Sequence, residues 1–179
     1  MSMVPSNLSD ELKPIAEEAD RIHESALWSG QGQFEQMKLW RAMNMVFGVP
    51  AAILAAFSGG TGLAAAEATK LPAVLALVAA GFGAALTTLN PSRRVTQAQA
   101  AANAYLEIQT DARQFLTIRL PHLNLEDARE ELKTLSARRD EVNRTADPPN
   151  TYAYWRAKRN ITKSGGQDYE VDKAGKEDG

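Results

Sequence analysis

The chain contains no cysteine. That excludes disulfides and thiolate metal sites, and it fits a reducing compartment. Histidine is scarce too: His23 and His122 are far apart in sequence, and no metal-ligating cluster accompanies either. A basic excess is missing, because the net charge is −2. The expectation is therefore no nucleic-acid partner. No nucleophile elbow, P-loop or dinucleotide fingerprint occurs. Gly59-Gly60-Thr61-Gly62 is glycine-rich but lacks the Lys-Ser/Thr tail of a phosphate cradle, so it reads as a loop. These absences predict a protein that is not an enzyme and holds no cofactor. The N-terminus has acids at Asp10, Glu11, Glu17 and Glu18 and no apolar run, so it is not read as a signal peptide. No strand pattern is found, and the predicted fold class is all-α.

The most informative absence is charge. Between Arg41 and Glu67 no side chain is charged, and none is between Lys70 and Arg93. A helix needs about 20 residues to cross a hydrocarbon core of roughly 30 Å. Both stretches satisfy that length. The sequence predicts a transmembrane hairpin occupying 42–91, with spans at about 42–58 and 71–89. Pro50 removes one backbone hydrogen bond and predicts a kink near Val46–Pro50. Ser58-Gly59-Gly60-Thr61-Gly62 is expected to end the first span, and Asn90-Pro91 the second.

Flanking charges give the spans an orientation. Lys38 and Arg41 precede the first, Arg93 and Arg94 follow the second, and Lys70 between them is offset by Glu67. By the positive-inside rule both termini face the cytoplasm. Trp40 and Arg41 on one side, and Arg93 and Arg94 on the other, are the candidate interface anchors, although packing in a core explains Trp40 equally well. Small residues dominate within the spans. Gly48, Ala52 and Ala56 repeat every four residues, as do Ala80, Ala84 and Thr88. Such stripes suit close helix packing in lipid, within one chain or between copies. Thr87 and Thr88 are able to satisfy their hydroxyls on their own helix. Asn44 either seeks a partner in the hydrocarbon or lies at headgroup level one turn from Arg41. No ionisable group lies inside either span, which argues against a proton relay.

The flanks are expected to be cytoplasmic helices forming a bundle or coiled coil. Residues 1–41 carry a 3-4 repeat at Leu8, Leu12, Ile15, Ala19, Ile22 and Ala26, and Gly30-Gln31-Gly32 is expected to interrupt the helix. Residues 92–163 carry two more seams: Val95, Ala98, Ala102, Tyr105, Gln109, Ala112 and Leu116, then Leu125, Ala128, Leu132, Leu135, Arg139 and Val142. Asn124 is a good N-cap between them. A short helix from Tyr152 to Ile161 mixes aromatics with bases; it is able to meet headgroups or nucleic acid, but packing onto the bundle is the favoured reading. Residues 164–179 are expected to be disordered.

The order of these features resembles the SLATT domain, a two-transmembrane effector module of bacterial conflict systems. The resemblance rests on the short-looped hairpin, Leu89-Asn90-Pro91-Ser92 leaving the second span, and an alanine-rich helix from Ala100 to Leu106 followed by Ala112-Arg113. Leu132, Leu135 and Arg139 on the next helix, and Pro149, Tyr152, Ala157, Ile161, Gly166 and Tyr169 at the close, complete it. It implies a homo-oligomeric effector in the bacterial inner membrane, contacting lipid, that forms a pore or otherwise permeabilises the membrane in antiphage defence. It further implies a separate trigger, such as a nucleotide-second-messenger synthase or a sensor. The alternative is a non-conducting membrane scaffold for a cytoplasmic partner.

Overall fold

The computed structural model describes residues 3–64 and 70–163. Among them every regular element is helical: α1 (Lys13–Ala64), α2 (Leu71–Leu89), α3 (Pro91–Gln114), α4 (Leu125–Thr145) and α5 (Thr151–Lys163). A π-helical turn, Phe115–Arg119, and a 3-10 turn, Leu120–His122, follow α3. The tail predicted to be disordered, and the Glu67 turn, lie outside the described residues.

The chain divides into two compact units. One combines residues 3–36 with 98–163; the other is 37–97. The boundaries thus fall a few residues outside the predicted hairpin limits of 42 and 91.

In the first unit the three predicted seams meet one another within the chain. Leu8, Leu12, Ile15, Ala19, Ile22 and Ala26 are all buried, as are Ala98, Ala102, Tyr105, Gln109, Ala112 and Leu116. One apolar cluster joins the start of α1 to Phe115, Leu116, Leu120 and Ala128. A second joins Ile22 and Ala26 to Tyr105, Ile108, Ala112 and Leu135. The helices α3 and α4 are antiparallel, because contacts pair rising numbers with falling ones. Tyr105 donates to Asn143 Oδ1 at 2.7 Å, Arg138 pairs with Asp111 at 2.6 Å, and Arg119 with Glu131 at 2.8 Å. Asn124 caps α4 as predicted, its Oδ1 accepting from the Asp127 amide at 2.9 Å.

The predicted interruption at Gly30-Gln31-Gly32 does not occur, since α1 runs through it. The reason is packing. A Cβ on Gly30 would lie 3.2 Å from Tyr105 Cβ, and one on Gly32 would lie 3.2 Å from Pro149 Cγ. Each glycine costs the helix about 1 kcal/mol relative to alanine. Here they let α3 and the α4–α5 connection approach the α1 backbone. The predicted end of the first span at the glycine run does not occur either: α1 continues through Gly59 and Gly60 to Ala64, and there a Cβ on Gly59 or Gly60 would meet nothing within 4 Å. Thr61 is helical there, with its hydroxyl donating to the Phe57 carbonyl at 2.7 Å.

In the second unit, α2 spans the predicted 71–89. It packs antiparallel to the C-terminal part of α1. Ser58 donates to the Pro72 carbonyl at 2.8 Å, Phe47 and Phe82 have ring centroids 5.9 Å apart, and Ser92 donates to Asn44 Oδ1 at 3.4 Å. Asn90 closes α2 in the left-handed conformation, φ 45°, with its amide donating to the Leu86 carbonyl at 2.9 Å. Asparagine tolerates that conformation better than any other side chain able to accept here, and Pro91 then opens α3 with its fixed φ.

Candidate functional site

The functional candidate is the surface of the 37–97 unit. Its helices meet along a 3-4 seam. Asn44, Phe47, Ala51, Leu54, Ser58 and Thr61 are half-buried on α1. Pro72, Leu75, Phe82, Leu86 and Leu89 are half-buried on α2, with Ala79 buried. This is the spacing of two helices in knobs-into-holes contact. Many of the remaining large apolar side chains point outward. Met45, Val46, Val49, Ile53 and Phe57 on α1, and Leu71, Val74, Leu77 and Val78 on α2, are exposed, Leu77 at 75%. Two helical stretches of the chain are long and apolar enough to cross a membrane. Their hydrophobic residues surround a thin seam, in which Asn44, Ser58 and Thr61 are the polar members, instead of filling a core, the reverse of the bundle unit.

The small residues fall on both sides of that seam. Gly48 faces α2, with Leu86 Cδ1 3.8 Å from where its Cβ would be. Ala52, Ala56, Ala80, Ala84 and Thr88 are exposed. So the intrachain contact uses the neighbouring row, and the stripes at 52–56 and 80–88 remain uncovered. A shallow apolar groove of about 560 Å³ runs beside the seam, lined by Ala51, Ala55, Gly59, Ala76 and Ala80 among others. Both predicted hydroxyls turn back on their helix: Thr87 donates to the Gly83 carbonyl at 3.0 Å and Thr88 to Ala84 at 2.9 Å. Asn44 is partnered by Ser92, at the same end of the helix pair as the bases.

The candidate anchors Trp40, Arg41, Arg93 and Arg94 gather at that end. The Arg94 guanidinium lies 4.8 Å from the Trp40 ring centroid, and its Nε donates to the Leu89 carbonyl at 3.2 Å. A cation near the last carbonyls of α2 complements the negative end of the helix dipole. Arg41 and Arg93 are exposed. Trp40 is half-buried and stacks with Arg94.

A second polar constellation lies in the bundle, and sequence reading missed it. Arg119, on the π turn, donates to Asp111 and to Glu131, each at 2.8 Å, and Arg138 closes the network on Asp111. A cavity of about 460 Å³ opens beside it, lined by Phe115, Arg119, Leu123, Asp127 and Glu131 among others. Arg119 and Arg138 are satisfied by carboxylates of the chain itself. Among the described residues no group of His, Asp and Glu is arranged to hold a metal. The network pins the wide π turn to α4, which accounts for its presence without a ligand. His23 lies half-buried on α1, and burial pushes its imidazole below its ordinary value of 6.5, against the opposing field of Asp20. Among the described residues no metal-ligating cluster accompanies it.

No protein-family model, curated protein or solved structure matches this chain.

Proposed function

We propose that the 37–97 unit is a two-span transmembrane hairpin. In this reading the chain is a membrane effector whose copies assemble in the bilayer and permeabilise it. The single observation that carries the reading is the uncovered apolar outer surface of α1 and α2, with charge confined to its ends. In water a surface of that extent is an interaction or aggregation site. In lipid it is the expected exterior, and apart from the bond removed at Pro50 the backbone of the two spans is paired within helices. The Trp40, Arg41, Arg93 and Arg94 end is the cytoplasmic end by the positive-inside rule. The flanking helices then form the cytoplasmic bundle of a bacterial inner-membrane protein.

Assembly is supported by the exposed rows Ala52–Ala56 and Ala80–Ala84–Thr88. Lipid supplies no hydrophobic drive for helix association, so close approach along small residues supplies contact energy instead. A single pair encloses no lumen, and permeabilisation requires several copies. The resemblance to SLATT domains points to the same activity, in antiphage defence with a separate second-messenger synthase or sensor as the trigger.

One observation favours a second reading, a non-conducting scaffold. Thr87 and Thr88 spend their hydroxyls on their own helix, and no ionisable residue lies in 42–61 or 71–89. A wide aqueous pore wants a polar lining. Replacing both spans by unrelated leucine-rich spans separates the readings, with membrane potential and partner recruitment measured in cells expressing the protein and its trigger. The effector reading predicts depolarisation that the swap abolishes. Potential that holds with abundant inserted protein, and recruitment that survives the swap, sink it in favour of the scaffold.

A further inference from the structure

Helix α5 does not bury its aromatics. Its packed face is made of Ala153 and Ala157, both fully buried. Tyr152, Tyr154 and Trp155 are each about half exposed or more, Trp155 at 56%. The expected packing of this segment onto the bundle is thus made by its alanines. The helix is amphipathic in an unusual sense: small residues inward, large aromatics and bases outward.

Three polar contacts hold α5 and the turn before it on α1. Gln33 Nε2 donates to the Asp147 carbonyl at 2.6 Å, and Gln36 Oε1 accepts from the Asn150 amide at 2.8 Å. Arg156 Nε donates to the Glu35 carboxylate at 3.1 Å, and that carboxylate is only 4% exposed. Asn150 caps the helix, accepting from the Ala153 amide at 2.8 Å. Fixing α5 through its alanines and this clasp holds the opposite face outward. The face carries Trp155, Lys158, Arg159 and Thr162, which recur at helical spacing and are all exposed. Arg159 stacks on Trp155 at 5.9 Å. Between Thr151 and Lys163 there are four bases and no acid, in a chain whose net charge is negative.

We propose that this face of α5 docks on an anionic lipid surface. Charge complementarity selects the partner: a concentrated positive face in an acidic chain meets a negative leaflet. The tyrosines and tryptophan are the side chains that settle at headgroup depth, with ring below and polar edge above. A helix with bases and exposed aromatics on one side is the form that lies in a bilayer interface. The inference goes beyond the two-span reading, since α5 belongs to the bundle unit and not to the helix pair.

The cysteine-free chain provides the test. A single cysteine at Thr162→Cys, carrying an environment-sensitive NBD label, sits on the face near the C-terminal end of α5. The full-length protein is reconstituted in phosphatidylcholine vesicles, with and without phosphatidylglycerol. The expected result is a blue-shifted emission only where phosphatidylglycerol is present, reduced by salt. Each base near an anionic surface contributes about fivefold in the equilibrium constant. K158E/R159E, which leaves the Arg156 clasp intact, should therefore lower the ratio of shifted to unshifted label by roughly 25-fold or more. A label at Lys133→Cys on α4 should not respond. No shift, or the same shift without phosphatidylglycerol, overturns the proposal. So does a shift in detergent that grows with protein concentration, which assigns the face to a second copy, or a larger shift with an RNA oligomer than with the anionic vesicles. Alkaline extraction of the same vesicles reports insertion of the spans separately, so failure of the two-span reading is not confused with failure at α5.

Discussion

Replacing Leu77 by arginine separates a lipid-facing surface from a water-facing one. Leu77 lies in the middle part of α2 and is 75% exposed, so a longer side chain there meets no steric obstacle within the chain. In water the substitution is an ordinary surface change, within about 0.5 kcal/mol of neutral. At the centre of a span, leucine contributes about −0.5 kcal/mol to insertion and arginine about +2.5 to +3.5. The swing of about 3–4 kcal/mol is roughly a 150- to 900-fold loss in the insertion equilibrium. Position supplies an internal control. Leu71 is also exposed but opens the helix, where an arginine reaches the interface by extending its stem. Expressed in membrane vesicles and scored by the fraction resisting alkaline extraction, Leu77→Arg should be depleted, Leu71→Arg nearly normal and Leu77→Ala close to wild type. Equal retention of Leu77→Arg and Leu71→Arg, with equal yield, would refute the placement of this face in hydrocarbon.

Further outcomes follow from the bundle. Gly30→Leu drives a side chain into Tyr105 and should destabilise the detergent-solubilised protein by about 1–3 kcal/mol, read as a lower melting midpoint; an unchanged midpoint contradicts the close approach. Phe115→Ala empties a fully buried site and should cost about 3–5 kcal/mol in the same assay. Gln36→Ala removes the acceptor of the Asn150 amide, a loss of about 1–1.5 kcal/mol, and should speed limited proteolysis in α5 by roughly tenfold while the bundle melt moves little. His23 has a lowered proton affinity when folded, so the folded state binds fewer protons than the unfolded one. Its contribution to stability is complete above pH 6.5 and is lost as pH falls below that value toward the lowered folded value; His23→Gln should flatten that limb of the melting profile, and an unaltered acid limb would remove His23 from the account.

Much of this architecture was legible because burial imposes a period. The seams at Leu8–Ala26, Ala98–Leu116 and Leu125–Val142 are 3-4 repeats, and a helix with one packed side has to repeat in that way. The limits of α2 were legible from Pro72, Asn90 and Pro91, whose backbone restrictions act locally. The continuity of α1 was not. Gly30 and Gly32 read as breaks by propensity, yet their lack of a Cβ serves Tyr105 and Pro149, partners more than seventy positions away in the chain. The π turn at Phe115–Arg119 carries no periodic signature, and only the assembled Asp111–Arg119–Glu131 network reveals what secures it. At the candidate site, length and charge were legible, but which small residues face the partner helix was not. Alanine looks alike on both sides of such a helix, and the choice of Ala51 and Ala79 over Ala52 and Ala80 for the seam is a property of the pair. On α5, packing onto the bundle was legible, but that Ala153 and Ala157 make it and leave the aromatics exposed was not.

The central claim is that the outer faces of α1 and α2 lie in hydrocarbon. Spin labels at Leu77→Cys and Ile53→Cys in reconstituted vesicles test it most directly, by comparing collisions with oxygen, which concentrates in lipid, against a water-soluble nickel chelate. Both labels should collide far more with oxygen, while Lys133→Cys on the bundle shows the opposite preference. Nickel-dominated collisions at Leu77 and Ile53, matching those at Lys133, would place the helix pair in water and contradict the account.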